Sequence, residues 1–187
     1  MRVMKKMTTK HQSAGATASS PFEARHLRIA LGKFATGVAI VTAAGEEDRY
    51  VGLTINSFSS VSLDPPLVLW SLASKSTNLH QFKSATHFAI HVLGDRQRSL
   101  AERFATNVAE RFDGVEVLQG VGRTPLLKDC CVRFTCRTVS VMEAGDHHIF
   151  MGEVVDLYEA GEVQGSLLFY KGQLHSYTHG SEYPSAQ

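Results

Sequence analysis

The sequence has almost no excess of charge of either sign. Nineteen Lys and Arg residues stand against eighteen Asp and Glu residues, for a formal net charge of +1 at pH 7. The basic residues are scattered, apart from a small excess near the N-terminus. Binding to nucleic acid or to an acidic membrane generally relies on concentrated basic charge. The composition therefore argues against both as partners.

Long apolar runs are also absent, since no stretch approaches the roughly 20 residues needed to cross a bilayer. Residues 1–20 contain four basic residues and no acidic one, and they lack the continuous apolar segment of a secretory signal. The total length of 187 residues fits one domain. We expect a flexible tail over 1–20, one domain over 21–178 and a C-terminal tail over 179–187.

Cysteine is scarce, and its spacing is not that of a disulfide framework. The three cysteines, Cys130, Cys131 and Cys136, contain no C-x-x-C pair. Cys130 and Cys131 would point to opposite faces of a strand, which disfavours a joint metal site. We interpret all three as small buried apolar side chains in a protein of the reducing cytoplasm.

Several nucleotide-binding and catalytic motifs are missing as well. The sequence has no G-x-G-x-x-G after a strand, no G-x-x-x-x-G-K-[ST] loop and no G-x-S-x-G elbow. A nucleotide would therefore have to be bound without a Rossmann or P-loop site.

What the sequence does contain is a series of short apolar strands. They are predicted over 38–43, 49–57, 67–72, 87–93, 130–143, 149–160 and 167–177. Only a few short helices interrupt them: one after Ser20 that stops by Gly37, one over 75–85 and one from Asp95. A doubly wound sheet would need a helix after nearly every strand. The pattern favours a mainly β fold, an antiparallel barrel.

The stretch GLTINSFSSVSLDPPLVLWSL, residues 52–72, carries many hydroxyl and amide side chains before two prolines and a core strand. A half-exposed strand explains Thr54 and Asn56, but not the serines that follow. Polar groups on a rigid frame suit a planar ligand with donors and acceptors along one edge. The predicted helix start at Lys75 offers amide donors, hydroxyls and a positive charge to a phosphate. Together they indicate a flat heterocycle that carries a phosphate.

Two histidine patterns admit a metal interpretation. His87 and His91 have H-x-x-x-H spacing, but a strand would separate them by about 13 Å, too far for one zinc ion. The sequence Gly145-Asp146-His147-His148 is typical of a hairpin turn. The same sequence places two histidines at the end of a predicted β-hairpin, where a ligand can reach them. The segment can be both a turn and part of a binding site.

Taken together, these segments resemble the short-chain flavin reductases. This family comprises the NAD(P)H:flavin oxidoreductase components of two-component flavin-dependent monooxygenases, and it has an FMN-binding split-barrel fold. The resemblance covers about residues 24–177 through FATGVAIVTA, the 52–72 stretch, FAIHVL, LAERFA, GDHHIFMGEVVDL and LLFYKGQLHSY. T-x-N-S-F-x-S-V-S-x-D-P-P is its most specific motif.

The resemblance implies three sets of binding residues: one for the flavin ring, one for the flavin phosphate and one for the pyridine nucleotide. Those along the flavin ring are Thr54, Ile55, Asn56, Ser57, Phe58, Ser60 and Val61. Those at the flavin phosphate are Lys75, Ser76 and Thr77. Those near the pyridine nucleotide are His147, as the catalytic residue, and Phe169, Tyr170, Lys171 and Gly172.

The implied function is NAD(P)H-dependent reduction of free FMN or FAD by hydride transfer, in a homodimer that supplies reduced flavin to a partner monooxygenase. FMN and FAD are equally compatible with these residues. NADH is preferred to NADPH because no cluster of arginines marks a site for a 2′-phosphate. Two alternatives stay open: a non-catalytic flavin-binding sensor or carrier, and a metal-dependent hydrolase that uses His147 and His148.

Overall fold

A computed structural model describes residues 22–46, 49–106, 110–128, 130–161 and 165–178. The two predicted tails, 1–20 and 179–187, lie outside the described residues.

The described chain is built mainly from β-strands, as predicted. The strands are β1 (Thr36–Gly37), β2 (Ala39–Ala44), β3 (Tyr50–Ile55), β4 (Ser59–Leu63), β5 (Pro66–Ala73), β6 (His87–Val92), β7 (Val117–Gln119), β8 (Pro125–Leu127), β9 (Val132–Ala144), β10 (His147–Glu159), β11 (Gly165–Tyr170) and β12 (Gln173–Thr178). The α-helices are α1 (Ala24–Leu31), α2 (Leu79–Ser84) and α3 (Arg98–Ala105). None of these helices is long and apolar enough to cross a membrane.

The main sheet is antiparallel and does not close on itself. Its seven strands lie in the order β3-β2-β6-β9-β10-β5-β4, so that β3 and the β4–β5 pair form its two ends. A three-stranded sheet, β1-β11-β12, and the short pair β7-β8 complete the described strands. The predicted antiparallel split barrel is confirmed, and the split between β3 and β5 is where the site lies.

Trp70 of β5 occupies the centre of the core and has no exposed surface. Its ring stacks on Phe150 of β10, with ring centroids 4.4 Å apart. Phe82 and Phe88 meet it edge-on, at 5.0 and 5.9 Å. Gly152 lets β10 approach this cluster, since an added Cβ would lie 2.4 Å from Cζ of Phe88. The cluster gives rigid support to the end of β5.

The H-x-x-x-H pair lies on a strand, β6, as predicted. His91 is fully buried there, and its Nδ1–H donates to the carbonyl of Ile40 at 3.0 Å. Its Nε2 accepts the N–H of Leu127 at 3.0 Å. Burial lowers the pKa of His91 from 6.5 to about 3, so the ring is neutral at physiological pH. His91 is thus a polar link inside the core.

Two predicted helix boundaries are wrong. The first helix ends at Leu31 rather than near Gly37, because Thr36 and Gly37 pair with β11 instead. The second begins at Leu79, with Asn78 at its N-cap position, rather than close to Lys75. Ser76 Oγ accepts the N–H of Asn78 at 3.3 Å and forms a turn before the helix.

Candidate functional site

A cleft of 610 Å³ opens in the split of the barrel. This volume lies within the range of small-molecule sites, about 300–1,000 Å³. One wall comes from β3 and the residues after it, and the other from the end of β5 and the corner that follows. The lining residues are Leu53, Thr54, Ile55, Asn56, Ser57, Ser71, Leu72, Ala73, Lys75, Ser76, Thr77, Asn78, Phe104, Ala105, Arg111 and His147.

The two walls are joined by the side chain of Ser57. β4 pairs with β5 only as far as Leu69, so Ser71 lies beyond the paired part of β5 on that side. The Ser57 hydroxyl accepts the N–H of Ser71 at 3.0 Å and donates to the carbonyl of Ser71 at 3.2 Å. The Ser57 side chain therefore bridges the split at a point where β5 has no strand partner on that side. Its hydroxyl proton is already donated to the Ser71 carbonyl.

Thr54 has a similar anchoring role on the other wall. Its Oγ1 donates to the carbonyl of Ala101 at 2.6 Å, which ties α3 to β3. This bond brings Phe104 and Ala105, at the end of α3, to the rim of the cleft. Asn56, by contrast, is exposed, and no side-chain hydrogen bond of Asn56 occurs among the described residues. Its exposed amide lines the cleft and can meet a ligand there.

The edge of β3 offers further polar groups. Within the described chain β3 pairs only with β2, so alternate N–H and C=O groups face away from that partner. Such groups can bind the donors and acceptors along the rim of a planar molecule. The edge strand β3 can therefore offer backbone groups as well as side chains to a ligand in the cleft.

Lys75, Ser76 and Thr77 lie together at the corner after β5. The N–H of Ser74 donates to the carbonyl of Asp146 at 2.9 Å, which fixes this corner against the β9–β10 turn. The described lining of the cleft holds Lys75 and Arg111 but no Asp or Glu. The cleft is therefore suited to an anionic ligand with an apolar part.

His147 begins β10 opposite Ala73 and faces the same cleft. Its Nδ1 lies 2.7 Å from Oδ1 of Asp146, and its side chain is 46% exposed. The hydrogen bond from His147, with its charge, lowers the pKa of the Asp146 carboxyl. Gly145 takes a positive φ of 63° in this turn, so the predicted hairpin is confirmed.

His148, one residue further, does not share this environment. Its side chain is buried, and Nδ1 lies 3.1 Å from the hydroxyl of Ser74. The two histidines thus point to different sides of β10. Among the described residues no group of three His, Cys, Asp or Glu side chains could hold a metal ion.

Several predicted ligand residues lie outside this cleft. Phe58 stacks on Phe134 in the core, with ring centroids 5.5 Å apart. Ser60 and Val61 are exposed on β4. The structure does not bring these three to the cleft.

The residues predicted near the pyridine nucleotide are divided between neighbouring sites. Phe169 lines a second, more apolar cleft of 270 Å³, which shares Thr54–Asn56 and Ala105 with the first. Lys171 and Gly172 line a third cleft of 310 Å³ beside α1. The Tyr170 ring centroid is 5.1 Å from the Lys171 ammonium and 6.2 Å from the ring centroid of His175.

Sequence reasoning missed Arg111 and the rim residues Phe104 and Ala105. Arg111 follows α3 by a few residues, and nothing in its immediate sequence distinguishes it from a surface cation. The signal that could have found it is tertiary, because it depends on where α3 ends relative to β3.

Residues 31–178 match the family described as flavin reductase like domain. SmoA of Agrobacterium fabrum, an FMN reductase (NADH), is 47% identical over 131 residues, which are 70% of this chain and 74% of SmoA. The reductase component of the flavin-dependent trigonelline monooxygenase of Acinetobacter baylyi is 40% identical over 148 residues. That match covers 79% of this chain but only 47% of the relative, so the chain spans about half of that protein.

A solved structure supports the same relationship. The NADH:FAD oxidoreductase SgcE6 of Streptomyces globisporus, in complex with NAD and FAD fragments, superposes with a TM-score of 0.78 at 33% identity. The match covers 84% of this chain and 94% of SgcE6. By the extent of the family match, the identity of its relatives and the shared split barrel, this chain belongs to the flavin reductase like family.

Proposed function

We propose that this chain is an NAD(P)H:flavin oxidoreductase that reduces free FMN or FAD and supplies the reduced flavin to a partner monooxygenase. One observation carries the proposal. The cleft in the split barrel collects the motif residues Thr54–Ser57, Lys75–Thr77 and His147, with no carboxylate in its described lining. The activities named for SmoA and for the trigonelline reductase component support it.

The residues of the cleft fit a flavin. Leu53 and Phe104 supply apolar surface for a fused ring, and Asn56 supplies an amide for its polar edge. Lys75 supplies a positive charge for the phosphate, with the hydroxyls of Ser76 and Thr77 beside it. Such a combination of apolar walls with a few convergent polar groups is typical of cofactor sites.

When both ligands are bound, a hydride passes from C4 of the nicotinamide to N5 of the flavin, chemistry that the cofactors themselves supply. The protein orients the ligands and places donors where negative charge develops. The outward backbone groups of β3 and the amide of Asn56 would do this at the polar rim of the flavin. The described lining of the cleft holds no cysteine or carboxylate, in keeping with a reaction that needs no protein nucleophile.

His147 would position the nicotinamide. Its Nδ1 is bonded to Asp146, which fixes the plane of the ring and leaves Nε2 to meet the ligand. Asp146 is fully exposed, so this bond orients the ring rather than stabilising the fold.

The second cleft would admit the rest of the pyridine nucleotide. Because it shares Thr54–Asn56 with the first cleft, a ring held near Phe169 would lie close to a flavin held on β3. Tyr170, Lys171 and Gly172 continue from Phe169 toward α1 and would contact more distant parts of the nucleotide. The flavin site would depend only indirectly on Phe58, Ser60 and Val61. These residues would set the shape of the loop after β3 and of β4, without contacting the flavin. NADH is our preferred donor, with NADPH as the alternative.

A homodimer is part of the proposal. α1 has no buried residue, and Leu27, Ile29, Leu31 and Phe34 are between 43% and 77% exposed. Apolar surface of this kind generally marks an interaction site. Light scattering of the purified protein should give twice the mass of the chain; a monomer at micromolar concentration would contradict this part. A cytoplasmic location agrees with Cys131 and Cys136, which form no disulfide, and is tested by cell fractionation.

The alternative, a flavin carrier or sensor, keeps the cleft but releases no reduced flavin. To separate the two, the protein is incubated anaerobically with NADH and an excess of FMN or FAD, and the solution is then filtered to remove protein. We expect most of the reduced flavin in the filtrate, in many-fold excess over protein. Reduced flavin in no more than equimolar amount, retained with the protein, would favour the carrier.

A further inference from the structure

The corner that carries Lys75, Ser76 and Thr77 belongs to neither a strand nor a helix. β5 ends at Ala73, and α2 begins only at Leu79. The N–H of Ser76 donates to the carbonyl of Ala73 at 2.9 Å, and the N–H of Leu79 donates to the carbonyl of Ser76 at 3.1 Å. Both bonds lie within the corner. Its position in the cleft therefore has to be set by other contacts.

Ser74, the residue directly before this corner, makes two contacts with the β9–β10 hairpin. Its N–H donates to the carbonyl of Asp146, in the turn of the hairpin, at 2.9 Å. Its hydroxyl lies 3.1 Å from Nδ1 of His148. His148 stands within β10, where it pairs with Leu72 of β5. Ser74 thus anchors the corner to a strand of the main sheet as well as to a turn.

The His148 ring is a firmly held partner for this contact. Its side chain is 8% exposed, and two residues further along β10 Phe150 stacks on Trp70 in the core. Nε2 of His148 lies 3.6 Å from Oε1 of Glu143, which is beyond the usual length of a hydrogen bond. Among the described residues, the Ser74 hydroxyl therefore makes the only direct hydrogen bond of this ring. A buried polar group without a partner is costly, so the contact is favoured on both sides.

The position of the corner matters for binding. A ligand that has to order a loop loses part of its affinity to the entropy of that ordering, whereas a loop that is fixed in advance avoids the loss. The side chains that would meet a phosphate, those of Lys75, Ser76 and Thr77, begin directly after Ser74. His148 itself does not line the cleft, so its influence on a ligand has to pass through Ser74.

We propose that His148 is a positioning residue: through the hydroxyl of Ser74 it holds the Lys75–Thr77 corner in the place where the phosphate of a flavin binds. The inference rests on the proposed function, since that function assigns the phosphate to this corner. Because His148 acts on the corner alone, its removal should weaken flavins that carry a phosphate. Riboflavin, which has the same ring but no phosphate, should be nearly unaffected.

A double-mutant cycle tests this role. Ser74→Ala and His148→Leu each remove one partner of the contact, and leucine fills much of the volume of the ring. Equilibrium dialysis gives the Kd of FMN and of riboflavin for each variant. We expect both variants to bind FMN about fivefold more weakly, the scale of one neutral hydrogen bond, and riboflavin to change by less than about twofold. The double variant should lose no more than either single variant, because both act through the same contact.

Two further variants separate positioning from a general effect on folding. His148→Asn keeps a polar group near the place of Nδ1 and should retain most of the affinity for FMN. Ser84→Ala is the matched control for Ser74→Ala, since the Ser84 hydroxyl is exposed and donates to the carbonyl of Gln81 in α2. It should change neither Kd. If His148→Leu does not fold, Ser74→Ala tests the contact from its exposed side.

Unchanged affinity for FMN in Ser74→Ala would overturn the assignment. Equal losses for FMN and riboflavin would do the same, because they would show a merely structural role, and so would losses that multiply in the double variant. Unmodified protein that binds FMN no more tightly than riboflavin would instead refute the phosphate site of the proposed function. That outcome is distinct from any effect of the variants.

Discussion

The hydroxyl of Ser57 is bonded to both backbone groups of Ser71, as acceptor at 3.0 Å and as donor at 3.2 Å. One side chain thereby takes the place of a missing strand across the split of the barrel. The same bond positions the Thr54–Ser57 segment, which forms one wall of the cleft. Ser57 is thus a structural clamp within the site.

We expect Ser57→Ala to lower the free energy of unfolding by about 1–3 kcal/mol, because it leaves two partly buried backbone groups without a partner. The affinity for riboflavin should fall as well, since the wall is no longer held. Urea denaturation and dialysis measure the two effects. Ser59→Ala is the matched control, because its hydroxyl is exposed and donates to the adjacent carbonyl of Ser60. Equal stability of the two variants would show that the clamp has no energetic role.

Removal of the His147 ring should act on the electron donor. We expect His147→Ala to raise the KM for NADH more than the KM for flavin, because the ring lies at the mouth of the cleft and is fixed by Asp146. Steady-state kinetics with each substrate varied in turn measures this. His80→Ala, at a side chain that is 78% exposed, serves as the control. An unchanged KM for NADH would remove His147 from the site.

Lys75 should distinguish phosphorylated from unphosphorylated flavin. We expect Lys75→Ala to weaken FMN about tenfold, the usual scale for one charged contact, and to leave riboflavin nearly unchanged. Lys83→Ala, at an exposed lysine of α2, is the control. Equal losses for FMN and riboflavin would argue against a phosphate contact at Lys75.

His91 should make the fold sensitive to acid. Its pKa is about 3 in the folded protein and 6.5 in the unfolded chain, so the neutral ring stabilises the fold fully above pH 6.5. This stabilisation is lost as the pH falls from 6.5 toward 3. One pKa unit corresponds to about 1.36 kcal/mol, so a shift of this size makes the full loss on the order of 5 kcal/mol.

The variant His91→Gln isolates this contribution. It should be less stable than the unmodified protein at pH 8, because glutamine cannot serve Ile40 and Leu127 in the same geometry. Between pH 7 and pH 4.5, however, it should lose less stability than the unmodified protein does. Urea midpoints at several pH values measure both effects, and parallel pH profiles would contradict this account.

Much of the fold could be predicted from the sequence because apolar strands bounded by turn residues are a local signal. The strand at His87–Val92 and the turn at Gly145 follow from such patterns. The end of the first helix did not follow from such a pattern. Thr36 and Gly37 pair with β11, more than 100 residues away in sequence, and so lie in a strand. Long-range pairing overrides a local stop signal.

The candidate site was predictable to a similar extent. Asn56 and Ser57 after β3 and the corner at Lys75 were found, and the structure brings them into one cleft. Sequence could not show that the hydroxyls of Thr54 and Ser57 are already bonded to Ala101 and Ser71. Nor could it place Arg111, whose position depends on how α3 packs against β3. Hydroxyl side chains in a motif can therefore shape a site without contacting the ligand.

Flavin reduction by this protein is tested first by NADH oxidation with the purified protein, alone and then with added FMN or FAD. We expect almost no oxidation of NADH without flavin and many turnovers with it, at a rate that saturates with flavin concentration. Failure to oxidise NADH or NADPH with either flavin present would contradict the assignment of this cleft to flavin reduction.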